Sequence, residues 1–138
     1  MERILALDVG DRRIGLAVSD PLGITAQGLE TYTRCGDDEK DADYIATMAN
    51  GYRPCKILFG LPRNMDGSCG FQSEKVRAFA DVVLLKWDGP YDFYDERLTT
   101  MRAEQILIEG NVRRDKRKKV IDKMAAVIIL EGYLDSRR

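Results

Sequence analysis

Three acidic residues sit where a carboxylate has chemical potential. Asp8 interrupts the apolar run RILALD and is flanked by Leu7 and Val9; Glu96 follows the aromatic stretch Tyr91 to Tyr94; Asp122 comes directly after Ile121 in the last amphipathic segment. Carboxylates brought together repel one another unless a cation neutralises them. A cluster of oxygen ligands alone suits Mg²⁺ or Mn²⁺. A pair of such ions about 4 Å apart can activate a water and stabilise the leaving oxygen of a phosphodiester. Taken singly, Glu96 and Asp122 also read as ordinary surface charge. Asp8 resists that reading, because a strand buried on both faces rarely carries an unpaired carboxylate.

Composition narrows the chemistry further. The chain has no histidine, so it lacks the commonest general base and the commonest transition-metal ligand. Any site must run on carboxylates, hydroxyls, lysines or oxygen-bound metals. The net charge is −1, so an affinity for a polyanion would have to be local. Cys35, Cys55 and Cys69 are odd in number and widely spaced, which suggests neither a disulfide framework nor a zinc site and implies a reducing, cytoplasmic location. No apolar run is long enough to cross a bilayer, and the first ten residues read as a strand rather than a signal peptide.

The elements that must position the acids follow from periodicity. Arg3 to Asp8 and Ile14 to Ser19 flank Gly10-Asp11-Arg12-Arg13 and predict a β-hairpin. Ile24 to Thr33 predicts a third strand. Asp37 to Tyr52 predicts an amphipathic helix with an acidic first turn. Lys56 to Gly60 is a buried strand, Leu61 to Gly70 a loop, and Phe71 onwards a helix with Val76, Phe79, Ala80, Val83 and Leu84 on one side. Tyr91 to Tyr94 is a short strand, and Thr99 caps a helix that Gly110 closes. A last helix follows the basic stretch and runs through Val120, Met124, Val127, Ile128 and Leu134. The 138 residues fit a single α/β domain, 1–138, with a mixed five-stranded sheet and about four flanking helices. In such sheets the functional crevice lies at the carboxyl ends of the strands.

Positive charge concentrates in Arg113-Arg114-Asp115-Lys116-Arg117-Lys118-Lys119, just before the helix that carries Asp122. The segment reads either as a solvated face or as a phosphate-binding patch with salt-sensitive affinity. Arg13 and Arg97 could each grip a phosphate bidentately, or pair with Asp20 and Asp95. Asp95 is either a fourth acid or a partner for Arg97. Thr99 and Thr100 suit capping, and Asp66 and Ser68 are weaker candidates in a loop whose N–H groups could meet a phosphate.

Four ordered blocks carry a resemblance. Asp8-Val9-Gly10-Asp11-Arg12-Arg13-Ile14-Gly15-Leu16-Ala17-Val18-Ser19-Asp20 resembles the opening signature of the YqgF/RuvX family. Gly60-Leu61-Pro62 with Asp66-Gly67-Ser68 is similar to its glycine-rich loop, and Asp95-Glu96-Arg97-Leu98-Thr99-Thr100 to its second acidic motif. Asp122-Lys123-Met124-Ala125-Ala126, with Ile129, Leu130, Tyr133 and Leu134, is similar to its final helix. The resemblance implies a ribonuclease H-like fold and a hydrolase acting on ester bonds, with Asp8, Glu96 and Asp122 as catalytic, metal-holding acids. It implies nucleic acid as partner: precursor rRNA, free or on ribosomal particles and cut by a monomer, or a four-way DNA junction cut by a homodimer. Maturation of the 5′ end of pre-16S rRNA is the reading taken forward, with junction resolution as the alternative. A non-catalytic nucleic-acid or ribosome-binding module is a further rival, since fold alone does not establish chemistry. An ATP-binding domain of the actin and sugar-kinase kind would need a second domain clamped over the nucleotide.

Overall fold

The computed structural model describes residues 2–61, 71–95 and 114–136, with side chains placed at 2–61, 73–94 and 124–136. Strands β1 (Arg3–Val9) and β2 (Arg13–Ser19) form the expected hairpin, with Asp8 opposite Gly15 and Val9 opposite Ile14. The predicted third strand is broken into β3 (Ala26–Gly28) and β4 (Tyr32–Thr33), both antiparallel to β2. The break is a register slip. Gly28 lies opposite Ala17 and Tyr32 opposite Ile14, so four steps along one strand match three along the other. One extra residue is the definition of a β-bulge, and it bends the edge.

Helix α1 (Asp38–Gly51) is capped by Asp37, whose side chain accepts from the Glu39 N–H at 3.0 Å. Strand β5 (Cys55–Leu61) then enters beside β1, helix α2 (Phe71–Leu84) follows, and strand β6 (Tyr91–Asp95) adds beside β5. Both of these pairings are parallel, so β1, β5 and β6 end at the same edge. The strand order is β3-β2-β1-β5-β6, with β4 also on β2. Helix α3 (Arg114–Ser136) closes the described chain. Three helices therefore flank a six-stranded mixed sheet among the described residues; the helix expected from Thr99 to Gly110 lies outside them. None of the three is long and apolar enough to cross a membrane.

Strand alternation sorts the core onto two faces. Leu5, Leu7, Ile57, Phe59 and Leu61 pack against α1 and α2 through residues such as Ile45, Val76, Phe79 and Val83. Ile4, Ala6, Ala17 and Leu58 pack against α3 through Ala126, Ile129, Leu130, Tyr133 and Leu134. The buried stripe of α3 thus differs from the expected one: Met124, Val127 and Ile128 are only half-buried. Ala6 and Ala17 share one buried cluster with Ile129, Leu130 and Tyr133. Helix α3 also begins earlier than expected, at Arg114, so the basic stretch forms its first turns; Lys and Arg are good helix formers.

Candidate active site

Asp8 occupies the penultimate position of β1. Alternation with Ile4 and Ala6 directs it to the α3 face, at the carboxyl edge shared by β1, β5 and β6. Its neighbours on that face are unusual. Gly15 of β2 lies directly opposite. Leu7 pairs with Phe59, so the next residue of β5 alongside Asp8 is Gly60. Both glycines are buried and neither projects a side chain. The half-buried carboxylate therefore has, on the neighbouring position of each flanking strand, a residue without a side chain.

Beyond Gly60, β6 contributes Tyr94 at the same level and ends at Asp95, opposite Leu61. Glu96 is the next residue in sequence and, with Arg97 and Arg113, lies outside the described residues. Neighbouring strands are about 4.8 Å apart, so the backbones of β1 and β6 are roughly 10 Å apart. Position 122 belongs to α3, four residues before Ala126 and on the helical stripe that continues to Ile129, Leu130 and Tyr133. The side chains of Asp122, Arg114, Lys116, Arg117, Lys118 and Lys119 are not among those described. Among the described residues no group of three or more acids, cysteines or histidines is close enough to hold a metal.

The carboxyl end of α3 is anchored on β5 and β6. The Tyr133 hydroxyl donates to Asp92 at 3.0 Å and accepts from Lys56 Nζ at 3.2 Å. Lys56 pairs with Ile4, at the amino end of β1. One residue before Tyr133, Gly132 lies so close to Tyr94 that a methyl group there would sit 2.6 Å from its hydroxyl.

Arg13 opens β2 opposite Thr33 and shares the α3 face with Gly15 and Ala17. It is therefore on the same face as Asp8 and next to it at the edge. The alternative pairing with Asp20 is overturned. Asp20 lies past the other end of the seven-residue β2, and its carboxylate accepts from the N–H groups of Ile24 at 2.7 Å and Thr25 at 3.1 Å. These turn bonds, the Thr25 N–H foremost, hold its carboxyl below the usual range.

The turn after Asp8 is tightly built. Gly10 donates its N–H to the Arg13 carbonyl at 2.8 Å, and a Cβ at Gly10 would stand 2.8 Å from that same oxygen. Arg34, which sequence reasoning missed, grips this turn twice. Its backbone N–H donates to the Arg12 carbonyl at 2.8 Å, and its Nη1 donates to the Gly10 carbonyl at 2.8 Å. The same guanidinium donates to Asp41 at 3.1 Å and Asp38 at 2.7 Å, and lies 4.7 Å from the centre of the Phe79 ring.

Asp41, part of the acidic first turn expected for α1, is fully buried. It also accepts from the Tyr32 hydroxyl at 2.8 Å and the Cys35 N–H at 3.2 Å. Burial works against its charge, but the Tyr32 hydroxyl, the Cys35 N–H and Arg34 together outweigh that penalty and hold its carboxyl below the usual range. The same hydrogen bond, with burial, pushes the Tyr32 phenol up to about 12. The available signal was the order Tyr32, Arg34, Asp41, which becomes a cluster only once the bulge places β4 beside α1. A cleft of about 590 Å³ opens beside it, lined by Asp11, Arg12, Arg34, Asp38 and Lys75 among others.

Across almost the whole chain, residues 2–136 match the family model described as "RuvX: Holliday junction resolvase". The chain belongs to the RuvX family. RuvX relatives are close. A protein of Desulforamulus reducens named "Putative pre-16S rRNA nuclease" is 55% identical over 97% of both chains. Proteins of the same name from Clostridium tetani and Halothermothrix orenii are 52% and 51% identical, over 97% and 96% of this chain and 96% and 94% of theirs. Among solved structures, Thermus thermophilus RuvC, described in complex with a Holliday junction substrate, aligns over 99% of this chain and 96% of that one. Its TM-score is 0.54 at 14% identity, a likeness of fold. The fold is the ribonuclease H-like one that the sequence motifs implied.

Proposed function

We propose that this RuvX-family chain is a metal-dependent nuclease that hydrolyses phosphodiester bonds in 5′-end maturation of pre-16S rRNA, with Asp8, Glu96 and Asp122 as its catalytic carboxylates. The observation that carries the reading is the placement of Asp8. A half-buried acid stands at the carboxyl edge of three parallel strands, with Gly15 and Gly60 rather than packing side chains on the strands either side of it, a placement that suits a metal-holding carboxylate. The last residue of β6, Asp95, immediately precedes Glu96, and α3 carries position 122 on the stripe that faces the sheet. Both assignments are compatible with one site. Hard oxygen donors and the lack of histidine fit Mg²⁺ or Mn²⁺, held as a pair by Asp8, Glu96 and Asp122. Such ions supply electrostatic stabilisation of the developing charge on the phosphate oxygens.

Arg13 lies on the face of Asp8 and is suited to orient a phosphate bidentately. The start of α3, from Arg114 through Lys119, adds positive charge at a helix amino end, where backbone N–H groups also favour anions. Arg97 and Arg113 belong to the same substrate-binding set. The names of the relatives support precursor 16S rRNA as the substrate; the reading taken here has it, free or on ribosomal particles, cut by a monomer. The family description and the RuvC likeness support the second reading, a homodimer resolving four-way DNA junctions. The free thiols of Cys35 and Cys55 fit work in the reducing cytoplasm.

The test presents purified protein with Mn²⁺ or Mg²⁺ and two labelled substrates, a precursor 16S 5′-end fragment and a four-way DNA junction, beside Asp8→Asn and Glu96→Gln. Cutting of the RNA alone, lost in both variants, is expected. Paired symmetric nicks in the junction would transfer the protein to recombination. Folded protein that binds RNA and cuts neither substrate would make it a binding module.

A further inference from the structure

We propose that Arg34 is a positioning residue for Asp8, holding the end of β1 so that the carboxylate meets its ions at a fixed place. This inference rests on the metal-dependent reading of Asp8 above. Only Val9 separates Asp8 from Gly10 in the chain. The hairpin beyond it is closed by one bond, from the Gly10 N–H to the Arg13 carbonyl. The two outward carbonyls of the turn, those of Gly10 and Arg12, are both satisfied by Arg34. A turn carbonyl can take water, so a charged fork is not needed there for solvation. What Arg34 adds is rigidity, because its own place is fixed from every side. Asp41 takes Nε, Asp38 takes Nη2, and the Phe79 ring lies under the guanidinium plane.

Asp41 is in turn fixed by Tyr32 and Cys35, with none of its surface exposed. The chain of contacts therefore runs from the interior of the α1 face, through one planar cation, to the backbone two residues beyond the proposed ligand. Groups that orient a metal's ligands typically matter 10–100-fold in metal affinity or activity. Lysine keeps the charge but lacks the planar fork whose three nitrogens reach Asp41, Gly10 and Asp38, so Arg34→Lys separates geometry from electrostatics.

The test compares wild type, Arg34→Lys, Asp8→Asn and Arg53→Lys. Arg53 is the control: it stacks 4.3 Å over Trp87 and pairs with Asp88 at the amino end of β5, remote from Asp8. Mn²⁺ binding is titrated calorimetrically without nucleic acid, on protein whose urea unfolding shows it fully folded. Cleavage is then followed as a function of RNA and of Mn²⁺.

Arg34→Lys is expected to bind Mn²⁺ about tenfold more weakly. Its kcat should fall by a similar factor with KM for RNA within twofold of wild type, and high Mn²⁺ should restore part of the rate. Arg53→Lys should match wild type in both measurements, even if it loses equal stability. Folded Arg34→Lys with wild-type Mn²⁺ affinity and wild-type kcat would overturn the inference and leave the nuclease reading intact. Absence of any Mn²⁺ binding that Asp8→Asn removes would instead overturn the metal-dependent reading, and this inference with it.

Discussion

Replacing Asp41 with alanine removes an acceptor that four donors share, the Cys35 thiol at 3.4 Å among them. Tyr32 loses a 2.8 Å bond, Cys35 N–H a 3.2 Å bond, and Arg34 its 3.1 Å partner, all around a residue with no exposed surface. Arg34 keeps Asp38, but its side chain is only 15% exposed, so water cannot fill the place of the carboxylate. Breaking a buried pair by deleting one partner costs about 3–5 kcal/mol. A domain of this length has roughly 7–20 kcal/mol in total, at about 0.05–0.15 per residue. Asp41→Ala should therefore stay folded at 25 °C and lose roughly 10–20 °C in Tm.

The pH dependence supplies an independent check on sign. A carboxyl held below its ordinary value stabilises the fold above the unfolded pKa of about 4, and that contribution disappears as pH falls through the lower, folded value. Urea unfolding of the two proteins should differ fully at pH 7 and converge as the pH drops below the ordinary carboxylate range. In a double-mutant cycle with Arg34→Met, the pair should lose less than the sum of the singles, because the stranded cation goes too. A difference under about 1 kcal/mol at pH 7, or one that does not shrink in acid, would refute this account of Asp41.

Two further predictions concern the site's edge. Gly10→Ala places a methyl 2.8 Å from the Arg13 carbonyl, backbone against backbone, so the turn must open; circular dichroism melts should show a loss of about 1–3 kcal/mol, and cleavage should fall more than RNA binding. Replacing Lys116, Arg117, Lys118 and Lys119 with glutamine should flatten the salt dependence of single-strand RNA affinity, by about 0.7 in log–log slope for each phosphate these cations neutralise. An unchanged slope in filter-binding titrations would remove the segment from the substrate path.

What the sequence disclosed depends on whether a signal was local. The hairpin, α1, β5 and α2 follow from periods of two and 3.6 and from the acidic first turn of α1, and the structure has them within a residue or two. Asp8 was legible because a carboxylate inside RILALD breaks a local pattern. Its two glycine neighbours were not, since Gly15 and Gly60 come beside it only through the β1–β2 and β1–β5 registers. Asp41 was not legible as buried for the same reason. In the string DEKDADY it looks like one more acid at a helix start, and only the bulge in the third strand, which sets Tyr32 and Arg34 opposite α1, makes it a buried hub. The stripe of α3 was legible in part: Leu134 is buried and Val127 packs against the sheet cluster, whereas Met124 and Ile128 are half-buried outside it, and Ala126, Ile129, Leu130 and Tyr133 carry the contact.

The two long helices at either end of the fold treat their amino ends oppositely. Helix α1 opens with Asp37 as cap and Asp38, Glu39 and Asp41 in its first turn, all complementary to the positive end of the peptide dipole. Helix α3 opens with Arg114, Lys116 and Arg117, with Lys118 and Lys119 directly after and only Asp115 among them. Each cation in a first turn opposes the dipole by about 0.3–1 kcal/mol at low salt, and crowded like charges add to that. Nothing in helix formation requires this arrangement, and the carboxyl half of α3 is held by Ala126, Ile129, Leu130 and Tyr133 without it. The unfavourable charge gains a reason once an external polyanion is its partner: the dipole and the five cations then act in the same direction. That is the physical ground for placing the phosphates of the substrate at the start of α3, on the helix that also carries Asp122.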